Sequence, residues 1–154
     1  QLFEENVPSI GERLEAMSQA AEKGYPVRAV MMPIIPIDRW EDAYTKFTKK
    51  LLDTVPLQRL TLGGICSYQG ARKLMETKMG LDNAISSHIA NSSRITGDGR
   101  ARYSQELRKE TYSLVLGIAR ELRPDLELAL CLEEESIWHD IGLAQYTGRC
   151  NCVL

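Results

Sequence analysis

Apolar positions along this chain switch between a helical and a strand-like period, and the switches mark out alternating elements. A helix is predicted over 9–23, with Leu14, Met17 and Ala21 as its buried stripe. Ser9 and Glu12 have the spacing in which a hydroxyl caps the N3 amide while the carboxylate reaches back. Gly24 supplies the stop. The run over 27–32 (VRAVMM) is short, apolar and partly β-branched, which reads as a buried strand closed by Pro33 and Pro36. Asp38 with Glu41 signals a second helix to about residue 54, on which Trp40, Tyr44, Phe47 and Leu51 share one face. Past Pro56, a strand over 57–65 (LQRLTLGGI) weakens at Gly63-Gly64, and a short helix over 71–79 follows.

Periodicity fails over 80–99, where serines, asparagines and the Gly97-Asp98-Gly99 turn predict a long polar connection. Connections of that length inside a domain are uncommon and often functional. A strong helix is predicted over 104–123, with Leu107, Thr111, Leu114, Ile118 and Leu122 on its inner side. Pro124-Asp125 turns the chain into a third strand over 126–132, then a helix over 133–143. Residues 1–147 form one domain in this reading, and 148–154 an irregular, cysteine-containing tail. Strands alternating with helices imply parallel pairing through right-handed crossovers. Three such strands make half a barrel or a small open sheet, since a full eight-stranded barrel takes about 250 residues. The working face of such a fold lies at the C-terminal ends of its strands, here 32–37, 66–68 and 133–135. An open sheet edge should be covered by a missing part.

Composition narrows the function classes. The net charge of −2 gives no global basic field, so contact with nucleic acid needs a local patch. Four cysteines in a chain this long do not form a disulfide framework, and a reducing cytoplasm is expected. No stretch approaches the roughly 20 apolar residues that cross a bilayer. Gln1-Leu2-Phe3-Glu4-Glu5-Asn6 reads as mid-chain sequence, so the start is expected to be a fragment boundary.

Phe3-Glu4-Glu5-Asn6, the capped helix, Lys23-Gly24-Tyr25-Pro26, the strand closing in Met31-Met32-Pro33-Ile34, then Trp40-Glu41 and Tyr44 keep a distinctive order and spacing. This block resembles the spore photoproduct lyase family, in which the stretch reads F-E-P-G-T, helix, A-G-Y, strand, A-P-I, E-G-W and then Y. Arg59-Leu60-Thr61-Leu62 and Ala71-Arg72-Lys73 follow the family more loosely. Beyond Tyr103 only the order of elements matches, so the resemblance covers about the first two thirds of the chain.

The resemblance implies the fold class: α/β, the C-terminal (β/α) units of a partial TIM barrel, with parallel strands and flanking helices. It also implies a radical S-adenosylmethionine (AdoMet) lyase of DNA repair. In such enzymes an N-terminal C-x3-C-x2-C motif holds a [4Fe–4S] cluster that cleaves AdoMet reductively, and the resulting radical attacks a thymine lesion. Cys66, Cys131, Cys150 and Cys152 lack that spacing, and three thiolates must converge on one cluster. AdoMet and the cluster are therefore expected in the parent protein, with none bound by this chain alone. The expected partners are the missing N-terminal half and DNA.

Candidate sites follow from the same resemblance. Met32 and Pro33 would wall the AdoMet pocket; the plain alternative is a core strand with a proline stop. Tyr68, Arg94, Arg100, Arg102 and Tyr103 would bind substrate; of this region, Arg94, Gly97, Gly99, Arg100 and, after a shift, Tyr103 match the basic, glycine-bearing R-Y-G-x-G-K-Y stretch of the family. Guanidinium groups grip phosphate in pairs and tyrosine stacks on bases, although a short basic run is also the usual content of a solvated turn. Ile95 stands where the family has an aromatic, which opens the reading of a radical AdoMet enzyme with a non-DNA substrate. A non-catalytic binding module of the same fold is the other alternative. Cys150 and Cys152 are half a zinc site and read as an incidental tail. His88 and His139 have no evident partner, and Glu133-Glu134-Glu135 reads as charge at a helix N-terminus.

Overall fold

A computed structural model describes residues 6–90 and 98–149. Helix α1 (Ile10–Glu22) opens with the expected capping box: the Glu12 amide donates to Ser9 Oγ at 3.2 Å, and the Ser9 amide donates to Glu12 Oε2 at 2.7 Å. Strand β1 (Arg28–Met31) leads through Pro33 and Pro36 into α2 (Trp40–Thr54). Strand β2 (Arg59–Leu62), the two-residue strand β3 (Ser67–Tyr68) and α3 (Gln69–Met79) follow. After α4 (Ser86–Ala90) and β4 (Arg100–Ala101) comes the long α5 (Gln105–Leu122), then β5 (Glu127–Leu130) and the short α6 (Glu135–Asp140).

Strands β1, β2 and β5 form one parallel sheet in that order, with Arg28, Arg59 and Glu127 in one register row and Met31, Leu62 and Leu130 in another. Side chains alternate across a pleated strand. Ala29, Met31, Leu60, Leu62, Leu128 and Leu130 therefore share one face, and all six join the main core with Leu51, Leu52, Tyr112, Val115, Leu116 and Ala119 from α2 and α5. The other face carries Arg28, Val30, Arg59, Thr61, Glu127 and Ala129. The fold class is the expected one: mixed α/β, with parallel strands and flanking helices.

Three local expectations are corrected. The connection over 80–99 is not wholly irregular. Asn83 Oδ1 accepts from the amides of Ile85 and Ser86 at 3.1 and 2.9 Å and opens α4, which buries Ile85 and Ile89 in a small second core with Tyr103. Its far end is β4, which pairs antiparallel with β3 outside the main sheet. The buried stripe of α5 is also displaced from the predicted one. Arg108, Thr111, Tyr112, Val115, Leu116 and Ala119 are buried, while Leu122 is exposed. Finally, Glu133 lies outside α6, and its carboxylate faces α5.

Candidate functional site at the C-terminal rim of the sheet

The rim is assembled where the three parallel strands end. At the end of β1 the Met32–Pro33 peptide bond is cis. The chain there is tied to β2: the Gly63 amide donates to Met31 O at 3.1 Å, and the Ile34 amide donates to Gly63 O at 2.8 Å. The Met32 side chain lies across Gly63, where a Cβ would stand 2.7 Å from Met32 Sδ. Only a residue without a side chain admits this crossing. Ile35 donates its amide to the Tyr44 hydroxyl at 2.8 Å, and burial raises the pKa of that phenol.

At the end of β2, the Gly64 amide donates to the Tyr112 hydroxyl at 2.6 Å, which donates in turn to Glu133 Oε1 at 2.6 Å. Arg108 pairs with the other Glu133 oxygen, donates to Glu134 Oε2 at 3.1 Å, and donates through Nε to Tyr103 O at 3.1 Å. Gln105 also donates to Glu134, at 2.9 Å. Side chains of Arg108 and Glu133 are 3% and 2% exposed. Burial raises the Glu133 carboxyl, with Arg108 and Tyr112 pulling it back, and burial also raises the Tyr112 phenol. A buried ion pair is tolerated only when its remaining valences are filled, and these are.

The pairing of β3 with β4 sets Tyr68 opposite Arg100. The guanidinium stands over the Tyr68 ring, 5.0 Å from its centroid, and its Nη1 lies 3.7 Å from Cys66 Sγ. These contacts, Cys66 first and Tyr68 next, raise the Arg100 pKa and so hold its charge. Of the candidate residues, Tyr68 is exposed and Arg100 half-exposed, and a cation–π contact joins them.

Arg102 and Tyr103 depart from the expected exposed loop. Arg102 donates to both oxygens of Asp98 at 3.0 and 2.7 Å and to Leu132 O at 3.3 Å. It clamps β4 to the end of β5 and is buried. Tyr103 is 2% exposed, packed with Ile85 and Ile89, and its hydroxyl has no partner among the described residues. Neither is displayed for stacking or phosphate contact in this arrangement. Arg94, Ile95, Cys150 and Cys152 lie outside the described residues.

The Arg108–Glu133–Tyr112 network was not anticipated. Its only signal in the sequence is Arg108 and Tyr112 one turn apart on a helix, facing a chain end rich in glutamate.

Residues 1–63 match the family model for spore photoproduct lyase. Over that stretch the chain is similar to that family. Its fold is also similar to that of spore photoproduct lyase complexed with dinucleoside spore photoproduct, at 20% identity and a TM-score of 0.62, covering 81% of this chain and 38% of that chain. A double mutant of spore photoproduct lyase with bound AdoMet and dinucleoside spore photoproduct is similar to the same extent, at 21% identity and a TM-score of 0.62, with the same coverage. At such identities the likeness is one of fold, and the chain spans well under half the length of those structures. No curated protein sequence matches the chain.

The rim can be tested against the groups implied by the resemblance. Among the described residues, no group of three or more His, Cys, Asp or Glu could hold a metal. The two cysteines among the described residues, Cys66 and Cys131, are fewer than the three thiolates such a cluster takes. For AdoMet the strand end offers a half-buried thioether and an exposed proline, Met32 and Pro33, as bordering groups, while the backbone at Gly63 is covered by the Met32 side chain. No helix among the described residues is long and apolar enough to cross a membrane.

Proposed function

We infer that this chain is the C-terminal half of a spore photoproduct lyase-like radical AdoMet enzyme of DNA photolesion repair, working in the cytoplasm. The observation that carries the reading is the match over residues 1–63, which includes the Met32–Pro33 strand end. AdoMet, bound to a cluster held by the N-terminal half, would supply the radical chemistry. Met32 and Pro33 would form one wall of its pocket. Tyr68 and Arg100 would meet the nucleic acid, the ring by stacking and the guanidinium on phosphate. Arg94 belongs to the same basic stretch and would add a phosphate contact. Arg102 and Tyr103 would act from beneath, holding the β3–β4 pair against the rim. On its own the chain should not turn over substrate.

The helix face of Tyr44, Phe47 and Leu51 supports this half-barrel reading. It lines a groove of about 940 Å³ that runs along β1, the outer strand of the sheet, and Tyr44 and Phe47 are only half-buried. An apolar helix face left half-covered beside an open strand edge fits a sheet continued by further chain. The alternative of a non-DNA substrate is favoured by the burial of Arg102 and Tyr103 together with Ile95.

The test uses the longer protein, carrying its upstream sequence. A C-x3-C-x2-C motif there, a reconstituted [4Fe–4S] cluster, and AdoMet-dependent repair of dinucleoside spore photoproduct are expected. A cluster-bearing protein that cleaves AdoMet but leaves the photoproduct intact would transfer the assignment to another substrate.

A further inference from the structure

The free edge of β1 carries an unmatched charge. Met31 O accepts from the Gly63 amide, so Met31 and, two residues back, Ala29 direct their backbone groups toward β2. The intervening Arg28 and Val30 then turn their N–H and C=O outward, along the open edge. Both side chains are exposed, Val30 at 53%. In the register row at this level, Arg28 stands beside Arg59, and Arg59 beside Glu127. Arg59 Nη2 donates to Glu127 Oε1 at 2.9 Å, and Arg149 reaches the same carboxylate at 3.3 Å. The carboxylate in the row is thus shared by two guanidinium groups on its own side. Arg28 has no carboxylate partner among the described residues and a like charge as its cross-strand neighbour. Like charges directly opposite one another on adjacent strands are destabilising.

We propose that the β1 edge receives a parallel strand from the remainder of the protein, with an acidic residue in register with Arg28 and apolar residues after it. The row would then alternate in sign: acid, Arg28, Arg59, Glu127. The next positions of the incoming strand meet Val30 and the apolar groove, whose walls are Leu14 and Met17 of α1 and Phe47 and Leu51 of α2. Backbone pairing supplies the affinity and the acid fixes the register, because a one-residue slip would turn that carboxylate away from Arg28 to the opposite face, toward Leu14, Met17 and Phe47. The proposal rests on the half-barrel reading above and adds the chemistry of the joint. The length of chain outside this one supports it, since the similar structures extend well beyond the 38% matched here.

The longer protein tests it through variants at one position. Arg28→Lys should keep the wild-type melting temperature. Arg28→Ala should melt lower, and Arg28→Glu lower again, each step on the order of 1–2 °C for a stability change near 1 kcal/mol in the longer protein. The gap between the last two should narrow at about 1 M salt. If Arg28→Glu melts at or above wild type, the introduced carboxylate is pairing with Arg59 and no acid faces the edge, which overturns the proposal. Hydrogen exchange gives an independent reading: slow exchange of the Arg28 and Val30 amides is expected, and fast exchange shows that no strand is present. Cluster absorbance and photoproduct turnover of the wild-type protein report the functional assignment separately. An inactive protein with the expected melting order would leave the edge proposal standing.

Discussion

The hydroxyl of Tyr112 reaches from the middle of α5 to accept from the amide of Gly64, at 2.6 Å, and donates its own hydrogen bond to Glu133. One phenol thereby ties the end of β2 to the end of β5. A Cβ at Gly64 would approach that oxygen to 3.0 Å, so the glycine is set by the contact. The rim behind Met32 and Pro33 is held by polar groups buried among apolar ones, where each lost partner is costly.

Tyr112→Phe removes the acceptor for Gly64 and one donor to Glu133 while keeping the ring. It should cost about 1–3 kcal/mol, the usual consequence of a stranded buried polar group. Urea denaturation measures it, and an unchanged midpoint would show that water replaces the hydroxyl.

Arg108→Met leaves Glu133 buried without its cation and should cost about 3–5 kcal/mol. Pairing it with Glu133→Gln should recover part of that loss, because a neutral amide is easier to leave unpaired than a charge. A double-mutant cycle in denaturant reads the coupling, and strict additivity of the two changes would contradict the pair.

Gly63→Ala places a methyl group against the Met32 thioether, and overpacking of this kind costs about 1–3 kcal/mol. Met32→Ala in the same chain should relieve the clash. The expected result is a double variant more stable than the sum of the single effects predicts.

Glu127 gives the acid limb of stability. Its carboxyl is held below the ordinary value of 4.5, first by the hydrogen bond from Arg59. Because the folded pKa is the depressed one, the unfolded chain binds the proton more readily, and this contribution is present above about pH 4.5 and lost as the pH falls through the folded value. Glu127→Gln should flatten stability against pH in that window. Urea midpoints measured across it should converge for the two proteins at the acid end.

Arg100 and Arg102 should separate in a nucleic-acid assay on the longer protein. Arg100→Ala is expected to reduce the salt slope of binding by about 0.9 per lost phosphate contact. Arg102→Ala should leave the slope unchanged and lower the melting temperature, because its guanidinium is spent on Asp98 and Leu132 O. A slope change in the Arg102 variant would return that residue to the interface.

The sequence by itself determined the element order, the capped first helix, and the parallel class of the sheet. These follow from local signals: Ser9 with Glu12, the prolines after β1, and the alternation of helical and strand periods. It also placed Met32 and Pro33 at a strand end, because a proline stop after an apolar run is a short-range feature. Tertiary structure alone decided which side of α5 is buried. A pattern of leucines pointed to Leu107, Leu114 and Leu122, whereas the buried side carries Arg108 and Tyr112, matched by the buried carboxylate of Glu133, with Glu134 beside it, some 25 residues away in the chain. The fates of Arg100 and Arg102 were equally illegible. Two residues apart in one basic run, both reach Asp98, but Arg102 is hydrogen-bonded to both of its oxygens, whereas the Arg100 guanidinium stands 3.8 Å from it and over the Tyr68 ring. Charge is a property of the residue, but whether it faces a ligand or the protein depends on contacts made between elements distant in sequence, and no local pattern encodes those.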